Sequence, residues 1–251
     1  MYLSNTNIYD IIITTSTLLT LLYASISDVK SREVHELIWI PPLLISITLN
    51  IIQGTYSNIR MLAFSLLPAL LIFILSIANL MGGADALALL LIGLAHPRFL
   101  LIPISFIALI ISLIPPMILM LSYLIINTVK YSSIFKEIKC TNGAKSKYLL
   151  MFLGRPISIK SYLTSKFLYP LTIPKTSGFH CRTMFSDDEV EEKIRNEILE
   201  LVSKGLIDSN SKIIVTPALP HILFILLGYI VGILTPQQVL LDFVRKLLIG
   251  V

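Results

Sequence analysis

Long apolar runs alternate with short polar breaks along most of this chain. The runs fall at residues 8–27, 37–53, 61–80, 82–97, 101–127 and 216–234, and most approach the roughly 20 apolar residues that cross a bilayer as a helix. The first, "IYDIIITTSTLLTLLYASIS", exceeds the apolar core of a signal peptide and lacks a basic stretch before it, which predicts a retained span. Pro115-Pro116 predicts a kink in the fifth run, a feature that neighbouring helices tolerate inside a membrane. Between the fifth and sixth runs the pattern changes. "KYLLMFLGRPISI" and "KFLYPLTI" read as strands, bounded by Gly and Pro. "SDDEVEEKIRNEILELVSKG" reads as an amphipathic helix with a capping box from Ser186 and Glu189, an apolar stripe of Val190, Ile194, Leu201 and Val202, and a stop at Gly205. The expected architecture is an all-α polytopic membrane protein of six transmembrane helices, with a small α+β cytoplasmic domain inserted before the last. Residues 1–129 carry helices one to five, 130–215 the insert, and 216–251 the sixth helix and an amphipathic tail.

Composition agrees, and charge adds an orientation. Hydrophobic residues make up 55% of the chain and charged residues 14%, where a soluble domain is about a quarter charged. Fourteen of the twenty Lys and Arg lie within 130–212, and the loop "DVKSREVHE" adds Lys30 and Arg32. With six spans these segments share one side, so the positive-inside rule places both in the cytoplasm and both termini outside. The net charge of +5 is mostly this bias, and no nucleic-acid-binding module accompanies it. Cys140 and Cys181 stand alone without a CxxC pair, which indicates reduced thiols and not a zinc ribbon or a disulfide framework. No HExxH or other metal-ligand spacing occurs, so neither a metal nor a cofactor is implied.

Two acids break the apolar pattern. In "SIANLMGGADALALLLIG" the sole ionisable residue is Asp85, and a carboxylate near a hydrocarbon core is costly and usually functional. By the alternation of spans Asp85 opens helix four near the cytoplasmic face. Asp28, in "LLYASISDVKSREV", closes helix one at the same depth. Two carboxylates within reach hold one proton between them. The charged member then takes a proton from water while the neutral one donates to a carbonyl oxygen, which is general acid–base hydrolysis of a peptide bond. Gly82 and Gly83 are expected to supply backbone freedom and close approach for a peptide beside Asp85. The plainer alternative makes Asp28 a loop acid and Asp85 a helix N-terminal acid favoured by the dipole.

The "GGAD" of Gly82, Gly83, Ala84 and Asp85, preceded by an acid ending the first helix, resembles the GxGD-type intramembrane aspartic proteases. The archaeal preflagellin and prepilin peptidases, the class III signal peptidases, are the nearest group, and the likeness covers essentially the whole chain. Ala84 fits the looser form of their motif and departs from the strict GxGD of presenilin-like proteases, and Ser27 stands where those have the Tyr of a YD pair. "DVKSREVHELIW" matches the group's first motif at Asp28 and Arg32, with Val34-His35-Glu36 in place of a Pro-Asn pair. The group's last helix opens with a "TPxxP" stretch, present as Thr216, Pro217 and Pro220. The resemblance implies an aspartic endopeptidase of the archaeal flagellum and pilus systems, with Asp28 and Asp85 catalytic. Its partners would be preflagellin- and prepilin-like precursors in the lipid bilayer, cut between a basic leader and the apolar helix. Bacterial relatives with paired cysteines also N-methylate; without CxxC, cleavage alone is expected.

Other features take smaller roles. Glu33 and Glu36 are either ordinary loop acids paired with Lys30 or Arg32, or a seat for the substrate's basic residue. His96 and His221 are interface or packing residues, or proton relays. Gly228 and Gly232 form a GxxxG, a helix-packing face or the seam of a homo-oligomer. Trp39 and Tyr123 read as interface anchors, and the acids of the insert's helix as a solvated face or a dock for basic signal sequences. Two other functions stay open: a presenilin-like protease cutting inside transmembrane segments, and a small proton- or cation-coupled transporter using the same acids. A non-catalytic assembly factor is a third.

Overall fold

The computed structural model describes residues 7–78, 81–98, 102–143, 147–175, 178–182 and 188–236, with 238, 239, 242 and 246. The tail beyond these and Ser186 of the expected capping box lie outside the described residues. By internal contacts the chain divides into two units, Met1–Pro115 with Pro220–Val251, and Pro116–Leu219.

The first unit is helical. It comprises α1 (Ile8–Ser31), α2 (Ile40–Ile52), α3 (Ile59–Ile77), α4 (Gly83–Ala95), the first part of α5 (Ile104–Lys130), and α10 (His221–Leu234), whose number follows the second unit's helices. A 3₁₀ turn, Glu36–Trp39, leads into α2, where Pro41 and Pro42 fall in the first turn, where no backbone N–H partner is lost. In α1 the buried positions Ile13, Thr17, Leu21, Ala24, Ser25 and Asp28 recur every three to four residues, one helical face. The opposite face exposes Ile11, Ile12, Leu19, Leu22, Tyr23 and Ile26, an apolar exterior suited to lipid.

Three helices, α1, α3 and α5, are long and apolar enough to cross a membrane; Glu36–Ile52, α4 and α10 are apolar but shorter. The expectation of six full spans is therefore corrected to three among the described residues. At 13 residues α4 extends about 20 Å at 1.5 Å per residue. Its neighbours supply what its short length leaves open. The Ser65 hydroxyl donates to Gly93 O at 2.9 Å, Tyr56 donates to Leu94 O at 2.8 Å, and the Asn50 amide donates to Leu94 O and Ala95 O. Burial pushes the Tyr56 hydroxyl up to about 12, so it remains a donor. Orphan carbonyls at a buried helix end need such partners.

Close backbone approach fixes the packing. A Cβ on Gly93 would stand 2.5 Å from Ser65 O, and one on Gly228 2.6 Å from Ala108 O. Gly232 likewise faces Ile104. The GxxxG pair is thus used as a packing face within the unit. Trp39 is only 1% exposed and belongs to the core with Leu21, Ala24 and Ala86, so it is no interface anchor. Buried Tyr123, in the second unit, is not one either.

The second unit holds the rest of α5, which stays helical through Pro115 and Pro116, with α6 (Ser132–Glu137), α7 (Lys147–Leu153), α8 (Ile159–Thr164) and α9 (Asp188–Ser203). Its strands are β1 (Cys140–Gly143), β2 (Arg155–Ser158), β3 (Leu168–Pro170), β4 (Thr172–Lys175), β5 (Gly178–Cys181) and β6 (Lys212–Pro217). They form two three-stranded sheets, ordered β1-β5-β4 and β2-β6-β3. The segment read as one strand from Lys147 is a helix as far as Leu153, and only Arg155–Ser158 pairs in a sheet. Asn127 decides this locally, since its amide donates to Met151 O and Gly154 O at 2.7 and 2.6 Å and closes the helix end.

Helix α9 forms as expected and stops where Gly205 takes a φ of +66°. Its buried anchor is Ile198, at 0% exposure, while Val190 is exposed. Ile198 packs in a core with Ile159, Tyr162, Ile213 and Val215, each such burial contributing roughly 1.5–3 kcal/mol. Glu191 is not part of a solvated face; it is buried against Arg182 at 2.6 Å. Cys140 and Cys181 form a disulfide with Cα atoms 5.5 Å apart. The expectation of reduced thiols is overturned, because parallel pairing of β1 with β5 brings together residues 41 apart in sequence.

Candidate active site

Both acids lie in the helical unit, and both are buried, Asp28 at 8% and Asp85 at 7% exposure. Asp28 occupies the last turn of α1 and Asp85 the first turn of α4, and α1 packs against α4. Asp85, Arg32 and His221 are the ionisable groups around the Asp28 carboxyl.

Each acid is held by the opening of α10. The Ile222 backbone N–H donates to Asp28 Oδ2 at 3.1 Å. One residue earlier, His221 Nδ1 stands 3.3 Å from Asp85 Oδ2, without the alignment of a full hydrogen bond. The reason is local. Pro220 precedes the helix at φ −75° and offers no side-chain cap, so the first N–H groups of α10 seek acceptors elsewhere. A carboxylate at that end also meets the positive pole of the helix dipole. Asp85, in the first turn of α4, has the same relation to its own helix.

Arg32 completes the surroundings of Asp28. Its backbone N–H and its guanidinium both donate to Asp28 O, at 3.0 and 3.2 Å, and the guanidinium lies 3.8 Å from Asp28 Oδ1. The residue ends α1 at φ +62°, in the left-handed region, which costs a non-glycine residue about 1 kcal/mol or more.

The remaining candidates separate. Gly82 has a φ of −75°, open to any residue, and a Cβ there would make ordinary contact with Asp85 Oδ2 at 3.4 Å. On Gly83 it would meet Ser76 Oγ at 3.6 Å. Neither glycine is thus required for backbone freedom, contrary to expectation. Ala84 packs partly buried against the core. Glu33 and Glu36 are exposed and make no ion pair with Lys30 or Arg32 among the described residues, since Arg32 is directed to Asp28. Pro217 closes β6 in the second unit, paired with Leu168. His96 is buried with Nε2 2.8 Å from the Tyr229 hydroxyl, a packing role. His221 was readable only as a packing or relay residue, because its contact with Asp85 arises from packing across 136 residues of sequence. Among the described residues no group of three His, Cys, Asp or Glu side chains is placed to hold a metal.

A buried pair of acids at the ends of packed helices, one tied to a cation and both to a third helix, suits proton exchange with a bound water. A model of the type IV leader peptidase family matches residues 15–117, and one described as archaeal peptidase A24 C-terminus type II matches residues 146–235. The chain is also 26% identical over 242 residues to the preflagellin peptidase of Methanococcus maripaludis, covering 90% of this chain and 95% of that protein.

Proposed function

We propose that this chain is a leader peptidase with Asp28 and Asp85 as its catalytic pair, a reading supported by its matches to the type IV leader peptidase family and to the archaeal peptidase A24 C-terminus. The observation that carries the reading is the shared anchorage of the two buried acids on neighbouring residues of α10. One aspartate, ionised, takes a proton from a water whose oxygen bonds to the scissile carbonyl carbon. The other, protonated, gives its proton to the carbonyl oxygen. The resulting diol collapses: one hydroxyl returns its proton to the second aspartate, the C–N bond breaks, and the leaving nitrogen takes from the first aspartate the proton lifted from the water. One water is consumed and no covalent intermediate forms.

The substrates are preflagellin- and prepilin-like precursors, in keeping with the preflagellin peptidase of similar sequence. Their basic leader meets exposed Glu33 and Glu36, and the strand to be cut approaches past Gly82 and Gly83. The shorter apolar helices pack with the long ones as parts of the membrane domain without crossing by themselves. The loop bearing Lys30 and Arg32 and the basic insert face the cytoplasm, where a leader junction emerges.

Co-expression in membranes with an archaeal preflagellin tests this. The expected product is shortened at the junction between basic leader and apolar helix, with an unmethylated new N-terminus by mass spectrometry. An intact precursor, or a cut deep within the apolar helix, would contradict it.

A further inference from the structure

His221 and Ile222 are consecutive, yet each engages a different acid, at 3.3 and 3.1 Å. The distance between the two carboxylates is therefore set by one turn of one helix. That turn is itself locked, because α10 is pinned to α5 by the glycine contacts at Ala108 and Ile104 and packs along α1. The imidazole is enclosed: its side chain is 13% exposed and both ring nitrogens are sealed from solvent, with no aligned hydrogen bond to either. Its charged neighbour is Asp85 Oδ2, and a buried imidazole short of an aligned hydrogen bond is unfavourable. Catalytic hydrogen bonds are often long in the resting state and tighten when substrate binds.

We propose that His221 is a positioning residue, and that the first turn of α10 is a two-point clamp on the acids. Through Nδ1 the imidazole fixes the Asp85 carboxylate, while the Ile222 N–H fixes Asp28. His221 does not touch the scissile bond; it acts through Asp85. The clamp rests on the peptidase reading above, and it makes Nδ1, not Nε2, the atom that matters. An asparagine at 221 sets an amide nitrogen near the place of Nδ1, whereas a glutamine reaches toward that of Nε2.

The test uses the full-length enzyme purified from membranes and an archaeal preflagellin, with cleavage rates measured against substrate concentration. His221→Ala and His221→Gln are expected to lower kcat about 10- to 100-fold at an unchanged KM, the size of loss that a misplacement near 1 Å produces. His221→Asn is expected within a few-fold of wild type. If the alanine variant fails to reach the membrane, the asparagine and glutamine pair decides. Wild-type kcat in His221→Gln, equal losses in Asn and Gln, or a change confined to KM would each overturn the clamp. Those outcomes leave the peptidase reading intact as long as the wild type cleaves; a wild type without cleavage overturns that reading instead.

Discussion

Arg32 shows how a single residue can be kept for the site at the expense of backbone comfort. At φ +62° a glycine would be easier, yet the arginine is tied to Asp28 through backbone and side chain together. Arg32→Gly should therefore hold or raise thermal stability, by up to about 1 kcal/mol from relieved strain, while cleavage slows roughly tenfold as Asp28 loses a charged neighbour. Melting in detergent and initial cleavage rates separate the two effects, and a variant as fast as wild type would refute the role given to the guanidinium. Asp28 and Asp85 were legible because an acid interrupting an apolar run announces itself. His221 was not legible as their neighbour, since only the packing of α10 brings its ring to Asp85.

Helices follow from the apolar pattern where they are long, and fail to follow where short runs serve either structure. Leu150 and Met151 are buried in a helix although Tyr148, Leu149 and Phe152 give the segment a strand-like composition. The disulfide was hidden for a related reason, because spacing in sequence carries no sign of the β1–β5 pairing. Bridging residues 41 apart stabilises the second unit by about 4 kcal/mol in the chain-entropy account. Cys140→Ala should accordingly lower that unit's resistance to proteolysis, and an unchanged digestion rate would count against it. In the helical unit Gly228→Ala sets a Cβ 2.6 Å from Ala108 O. Overpacking of this kind costs roughly 1–3 kcal/mol, so a lowered melting temperature in detergent is expected, and an unaltered one would show that α10 can shift.

Taken whole, the molecule keeps its charged chemistry at helix ends and its lipid-suited surface elsewhere. Among the described residues three helices are long enough to cross a bilayer by themselves, and the end of α4 is held where α2, α3 and the turn between them satisfy its carbonyls. The sequence pattern reads each apolar run as a full crossing, since it carries hydrophobicity but not the polar side chains that allow a helix to stop early. The central claim is that the carboxyls of Asp28 and Asp85 work as one pair, and single-residue neutralisation tests it most directly. Asp28→Asn and Asp85→Asn, each produced at wild-type levels in membranes, should leave a co-expressed preflagellin at full length on a gel. Mature-size product from either variant at a near-normal rate would contradict the account.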